Sequence, residues 1–144
     1  MMKKLMNKKR NNKGFSLVEL IVVVLIIAII AVALAPQVMK WVGTSKTSVD
    51  NNNMATIKAS ASTAVADLLG KNGGSIPDTV KYKITNSGVE ASSGTNAALL
   101  TAIQEVMNGE KPRPQGDNTK IFYIEVTAST GVVSVTMETG TYTP

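Results

Sequence analysis

The sequence predicts an α+β protein in which one long N-terminal helix, apolar in its first half, packs by its second half on a small antiparallel sheet to form a roll. Three observations predict it. Residues 15–35 read FSLVELIVVVLIIAIIAVALA, 21 residues with Glu19 as their one charge. Beyond Pro36, residues Val38, Val42, Val49, Ile57, Ala61, Ala64, Val65, Leu68 and Leu69 recur at helical spacing, with Ser45 and Asn53 in the gaps. Near the C-terminus the pattern switches to alternation, with Phe122, Ile124 and Val126 on one face of a strand and Val133, Val135 and Met137 on the next.

Taken in order, the helix runs from Phe15 to Gly70, where Gly70 and the pair Gly73-Gly74 end it. If unbroken it is ~84 Å long at ~1.5 Å per residue. The stretch Gly43 to Asn53 consists of weak helix formers, so a break or bend is expected there. Val80 to Ile84 alternates as a short strand, and Asn86 to Gly94 reads as a turn-rich loop. Thr95 or Asn96 caps a second helix that continues to Asn108, with Leu99, Leu100, Ile103, Val106 and Met107 as its apolar face. Glu110 to Thr119 is loop, carrying two prolines and a glycine. Lys120–Thr127 and Val132–Glu138 form a hairpin through Ala128–Gly131. The expected organisation is a basic leader (1–14), an apolar helix (15–42) and a globular domain (43–144).

Charge is partitioned along the chain. The first 14 residues hold Lys3, Lys4, Lys8, Lys9, Arg10 and Lys13 with no acid, which leaves nine basic against ten acidic residues in the remainder. The net charge of +5 therefore belongs to the tail, and no specific nucleic-acid partner is inferred. With no cysteine and no histidine, disulfides, Cys/His zinc sites, Ser-His-Asp triads and Cys-His dyads are excluded. No spacing singles out a catalytic pair, no cofactor is implied and no metal site is assigned.

The apolar segment admits three readings. A helix of this length spans ~30 Å, the thickness of a bilayer core, and the preceding cations keep the N-terminus inside. A plain anchor leaves Glu19 unexplained, because an ionisable group in a spanning helix is costly. A secretory signal is suggested by Ala31-Val-Ala33 and Ala33-Leu-Ala35, but the apolar run is too long and Pro36 follows the second site. The third reading turns on the residues just ahead of the apolar run, Gly14 to Glu19.

Gly14-Phe15-Ser16-Leu17-Val18-Glu19, after a short basic leader and before a long apolar helix, resembles the processing signature of type IV pilins and pseudopilins. The resemblance covers about residues 1–42. It implies cleavage between Gly14 and Phe15 by a membrane-embedded prepilin peptidase, N-methylation of Phe15, an assembly role for Glu19 and a helix kink at Pro36. It also implies storage as a single-pass protein of the cytoplasmic membrane, then incorporation into a surface filament by the assembly machinery. The main partner is then a further copy of the chain.

The residue types suit that chemistry. Gly14 has no side chain to obstruct a peptidase. Cleavage would leave an amine on Phe15 at the head of an apolar helix, and such an amine cannot leave water cheaply without a partner. Glu19 of a neighbour supplies the opposite charge, and an unpaired charge penalises wrong registers. The competing reading has Glu19 snorkelling to the cytoplasmic surface. Pro36 removes a backbone donor, whether as a kink or simply as the bend where the helix leaves the membrane.

Within the family, no cysteine pair closes the C-terminal loop, a second helix-bending proline is absent around Thr56, and the Trp-Gly-x-Pro-Tyr stretch of major secretion pseudopilins is missing. A pilus-forming subunit is the first expectation, and a pseudopilin of a secretion or DNA-uptake system the alternative. Outside the family stand a secreted enzyme and an anchored binding module. Asp50-Asn51-Asn52-Asn53 starts like a calcium loop but lacks its glycine and terminal glutamate, and reads as a solvated helix bend. Asp117 and Asn118 are a weaker calcium candidate. Gly70 and Gly74 read as helix termination. Trp41 fits either a membrane interface or a packed core.

Overall fold

The computed structural model describes residues 14–71, 76, 78–94 and 96–140. Residues 1–13 of the leader, Gly73-Gly74 and Thr95 lie outside them. The chain forms two compact units, Met1–Lys40 and Trp41–Pro144.

In the first unit the described residues lead into α1 (Leu17–Lys71), a 55-residue helix that contains Pro36 without interruption. Pro36 has no N–H to give, so the carbonyl of Val32 loses its usual donor four residues on. Every side chain from Gly14 to Val49 is exposed. Val38, Val42 and Val49 therefore fall outside the core stripe expected of them. An apolar helix in that condition needs a non-aqueous covering.

In the second unit α1 buries Ile57, Ala61, Ala64 and Val65, with Leu68 and Leu69 at the margin. These side chains pack in one core with a four-stranded antiparallel sheet of order β2-β1-β3-β4. Its strands are β1 (Val80–Thr85), β2 (Gly88–Ser93), β3 (Lys120–Val126) and β4 (Val133–Thr139). Tyr82, Ile84, Phe122, Ile124 and Val126 face the helix as the centre of the core, and the Tyr82 hydroxyl donates to the Asn96 carbonyl at 3.1 Å. Helix α2 (Ala97–Met107) adds Leu99, Ile103 and Met107. Asn96 is its cap, accepting from the Leu99 N–H at 3.0 Å, and Asn108 closes it in the left-handed region.

Four expectations need correction. The segment 86–94 contains β2, which pairs with β1 through a hairpin at Asn86-Ser87. Val89 is its one buried side chain, and a bulge opposite Lys81/Tyr82 breaks its register, so backbone pairing forms a strand that side-chain alternation does not announce. Val106 is exposed, off the face expected of it. Helix α1 continues through Gly70 by one residue.

The fourth correction concerns 43–53, which is helical throughout. The hydroxyls of Thr47, Ser48 and Thr56 donate to the carbonyls four residues earlier at 3.2, 3.1 and 3.0 Å, so they bond along the helix rather than against it. Asp50, expected at a solvated bend, is buried. Its carboxylate accepts the backbone N–H groups of Gln115 at 2.6 Å and Gly116 at 2.9 Å. A Cβ on Gly116 would lie 3.0 Å from Asp50 Oδ2, so glycine allows the loop to close on the acid. Asn53 adds a bond to the Arg113 carbonyl at 3.5 Å, and Arg113 donates to the Asn86 side chain. The 110–119 loop is thereby fastened to α1 and to the β1–β2 turn.

The outer face of the sheet is charged. Lys81 reaches over the Tyr123 ring, 4.7 Å from its centroid, to Glu138 at 2.5 Å on β4. The bond from Lys81 holds Glu138 below the usual carboxylate range. The Thr85 hydroxyl and then Lys83 do the same for Glu90, and the Thr119 hydroxyl and N–H for Asp117.

Because burial begins at Asp50, a fragment starting at Thr44 is expected to be soluble and to melt cooperatively; aggregation or a featureless melt would place part of the core before Thr44. In that fragment Asp50→Ala strands two N–H groups and should cost about 2–3 kcal/mol in chemical denaturation. Glu138, Glu90 and Asp117 have folded pKa values below their unfolded ones, so their contribution is full above the ordinary carboxylate range near 4 and is lost as pH falls through the folded values. The melting temperature should hold from neutral pH to about 5 and drop below about 4, with a shallower drop in Glu138→Gln.

Candidate processing and assembly site

Gly14, Phe15 and Ser16 precede the first turn of α1 outside any regular element, all three exposed. Among the described residues nothing lies within 4 Å of a Cβ placed on Gly14. Phe15 is 87% exposed, the most uncovered of the large apolar side chains described.

Glu19 sits in the first turn of α1, and its carboxylate accepts the Ser16 N–H at 3.0 Å. Ser16 is the residue before the helix and Glu19 is its third residue, so the pair supplies the glutamate half of a capping box. A negative charge there also complements the N-terminal end of the helix dipole. Sequence reasoning singled out Glu19 for its charge and missed this local bond, although Ser-x-x-Glu is the spelling of the motif. Pro36 lies seventeen residues further along the same helix and is not brought near this turn.

The clasp at Asp50 was not legible in the sequence, since its partners are 65 and 66 residues away. Among the described residues no three Asp or Glu side chains gather as a metal site. Asp117 is occupied by the Thr119 hydroxyl and N–H at 2.6 and 2.9 Å and by Lys120 at 3.6 Å. A groove of about 340 Å³ lies between α1 and the end of α2, and Glu110 is the single titratable side chain lining it.

An exposed glycine–aromatic junction, a glutamate in the first turn and a long uncovered apolar helix are the features on which the resemblance to a prepilin N-terminus rests. A family model for the prokaryotic N-terminal methylation motif matches residues 9–35. The chain is also 34% identical over 87 residues to "Prepilin peptidase-dependent protein A" of Clostridium perfringens, an alignment covering 60% of this chain and 55% of that relative. The chain thus spans just over half the length of that protein. No solved structure matches. The chain carries the prokaryotic N-terminal methylation motif at its head, and α1 is a candidate membrane-spanning helix.

The capping bond generates a local prediction. In the detergent-solubilised protein the Ser16 amide should exchange faster with solvent in Glu19→Leu than in the wild type. Glu19→Gln, which keeps an acceptor oxygen, should stay close to wild type. Equal exchange in all three would remove the cap from the role of Glu19.

Proposed function

We propose that the chain is the precursor of a filament subunit of the type IV pilus class, held in the cytoplasmic membrane until it is cut between Gly14 and Phe15, N-methylated on Phe15 and assembled through α1 with copies of itself. The observation that carries this reading is the Gly14-Phe15 to Glu19 turn at the head of a helix whose first half is wholly uncovered. The methylation motif and the peptidase dependence in the name of the Clostridium relative support the processing step.

The mechanism follows from charge and burial. The peptidase severs the open Gly14–Phe15 bond and leaves an amine four residues before Glu19. Helices of this kind exchange lipid for one another at little hydrophobic gain, so packing and polar pairing decide their register. The amine of an incoming subunit enters the bundle only where a neighbour's Glu19 meets it. A misplaced subunit buries an unpaired charge at a cost of ~3–5 kcal/mol. The globular unit, with its charged outer sheet face, is the part left to meet the surroundings.

Processing is tested by Gly14→Leu. The mutant should accumulate at precursor size on an immunoblot of membranes, and a normal mature band would refute the cut site.

Assembly is tested by Glu19→Leu and Glu19→Gln together. Both leave Gly14 intact and should be cleaved and inserted normally. Both should yield few or no filaments in sheared surface material viewed by electron microscopy, although only the leucine variant loses the cap. Abundant filaments from Glu19→Gln would show that the charge is not what registers subunits and would leave capping as the role of this residue.

A further inference from the structure

Trp41 was open to two readings, and its surroundings decide between them. It is 63% exposed, with Val42 at 49% and Val49 at 43%, so no core packs around it. These three, with Ser45 and Lys46, lie within one half of the helix circumference at 3.6 residues per turn. Asp50, which the 115–116 backbone covers, lies opposite Trp41. The loop side of this stretch is occupied, and the Trp41 side is not.

Its place along α1 says what covers it. Glu19 and Lys40 bracket an uncharged stretch, Leu20 to Met39, of 20 residues. A helix of that length spans ~30 Å, which matches the hydrocarbon core. With the Glu19 carboxylate at the inner boundary, the count brings the chain to the outer boundary at Lys40, immediately before Trp41. From Trp41 to Val49 the only charge is Lys46, and there is no acid until the occupied Asp50. An indole with one polar N–H on an apolar body, beside a cation and without acids, is the chemistry that settles at a phospholipid headgroup layer.

We infer that Trp41, Val42 and Lys46 at the base of the globular unit form an outer-leaflet anchor, in which phospholipid phosphates accept from the Trp41 indole N–H and pair with Lys46. This rests on the membrane-stored reading above and adds to it a stop that sets how deeply the stored subunit sits. Its place in the sequence directly after the apolar stretch, and its lack of acids, favour a lipid surface over a second copy as the occupant.

Trp41 is the only tryptophan in the chain, so its fluorescence reports this position alone. The full chain is reconstituted into phosphatidylcholine vesicles containing phosphatidylglycerol, and flotation first establishes membrane association. The expected result is a blue-shifted emission relative to indole in water. Lipids brominated near the headgroup end of the acyl chain should quench it more strongly than lipids brominated near the methyl end. A protein that floats but emits as in water, unquenched by either lipid, overturns the anchor and leaves membrane storage standing. Stronger quenching from the deep bromine also overturns it, by placing Trp41 in the hydrocarbon. A blue shift that follows protein concentration and ignores bromine assigns the face to a second copy. Failure to float overturns both readings.

Discussion

Backbone hydrogen bonding within α1 is the constraint on which everything else in this protein depends. In hydrocarbon each unsatisfied N–H or C=O costs several kcal/mol, so a segment that spends time in lipid must satisfy its backbone internally. The 55 residues from Leu17 to Lys71 do so in one helix, broken in donor count only at Pro36. The ends carry the consequence. At the start, Glu19 supplies the acceptor that the Ser16 N–H would otherwise lack. Further along, Ser and Thr hydroxyls in the run of weak formers donate to helix carbonyls four residues back, so their polar groups are met within the helix.

The same helix must also be half of a water-soluble core. Two alanines and two branched residues suffice for the contact, because the sheet contributes the bulk through Tyr82, Phe122 and Ile124. What this narrow stripe does not supply is a fixed position for the long connection between α2 and β3. Asp50 supplies that. A buried carboxylate is expensive unless its oxygens are met, and here two loop N–H groups meet them, so the acid and the loop specify each other. The charged outer face of the sheet, with Lys81 laid across Tyr123 to Glu138, is by contrast solvent-screened and contributes little to stability.

Glu19 thus stands at the meeting of one observed and one proposed requirement. As a cap it belongs to its own helix, and in the proposed assembly it would meet a neighbour's amine. A carboxylate has two oxygens and room for more than one donor, so the two roles are chemically compatible. The cap holds the side chain at the first turn, which limits where a partner amine has to arrive.

How much of this was legible follows from the range of each interaction. The apolar run, the Gly14-Phe15-Glu19 turn, α2 with its Asn96 cap and the β3–β4 hairpin all rest on neighbours a few residues apart, and the α+β class with its long helix is readable from them. The capping bond was equally local and was simply unread. By itself the sequence thus determined where the chain is apolar and where helices start, and it is the ground for the proposed cut. Tertiary structure alone decided the rest. It paired β2, whose single buried residue Val89 leaves no alternation to read, and it left Val38, Val42 and Val49 outside a core that their spacing implied. It turned Asp50 from a solvated acid into a buried clasp, because the N–H groups that hold it come from 65 and 66 residues away. Periodicity records which side chains share a face, but only the folded chain determines what that face meets.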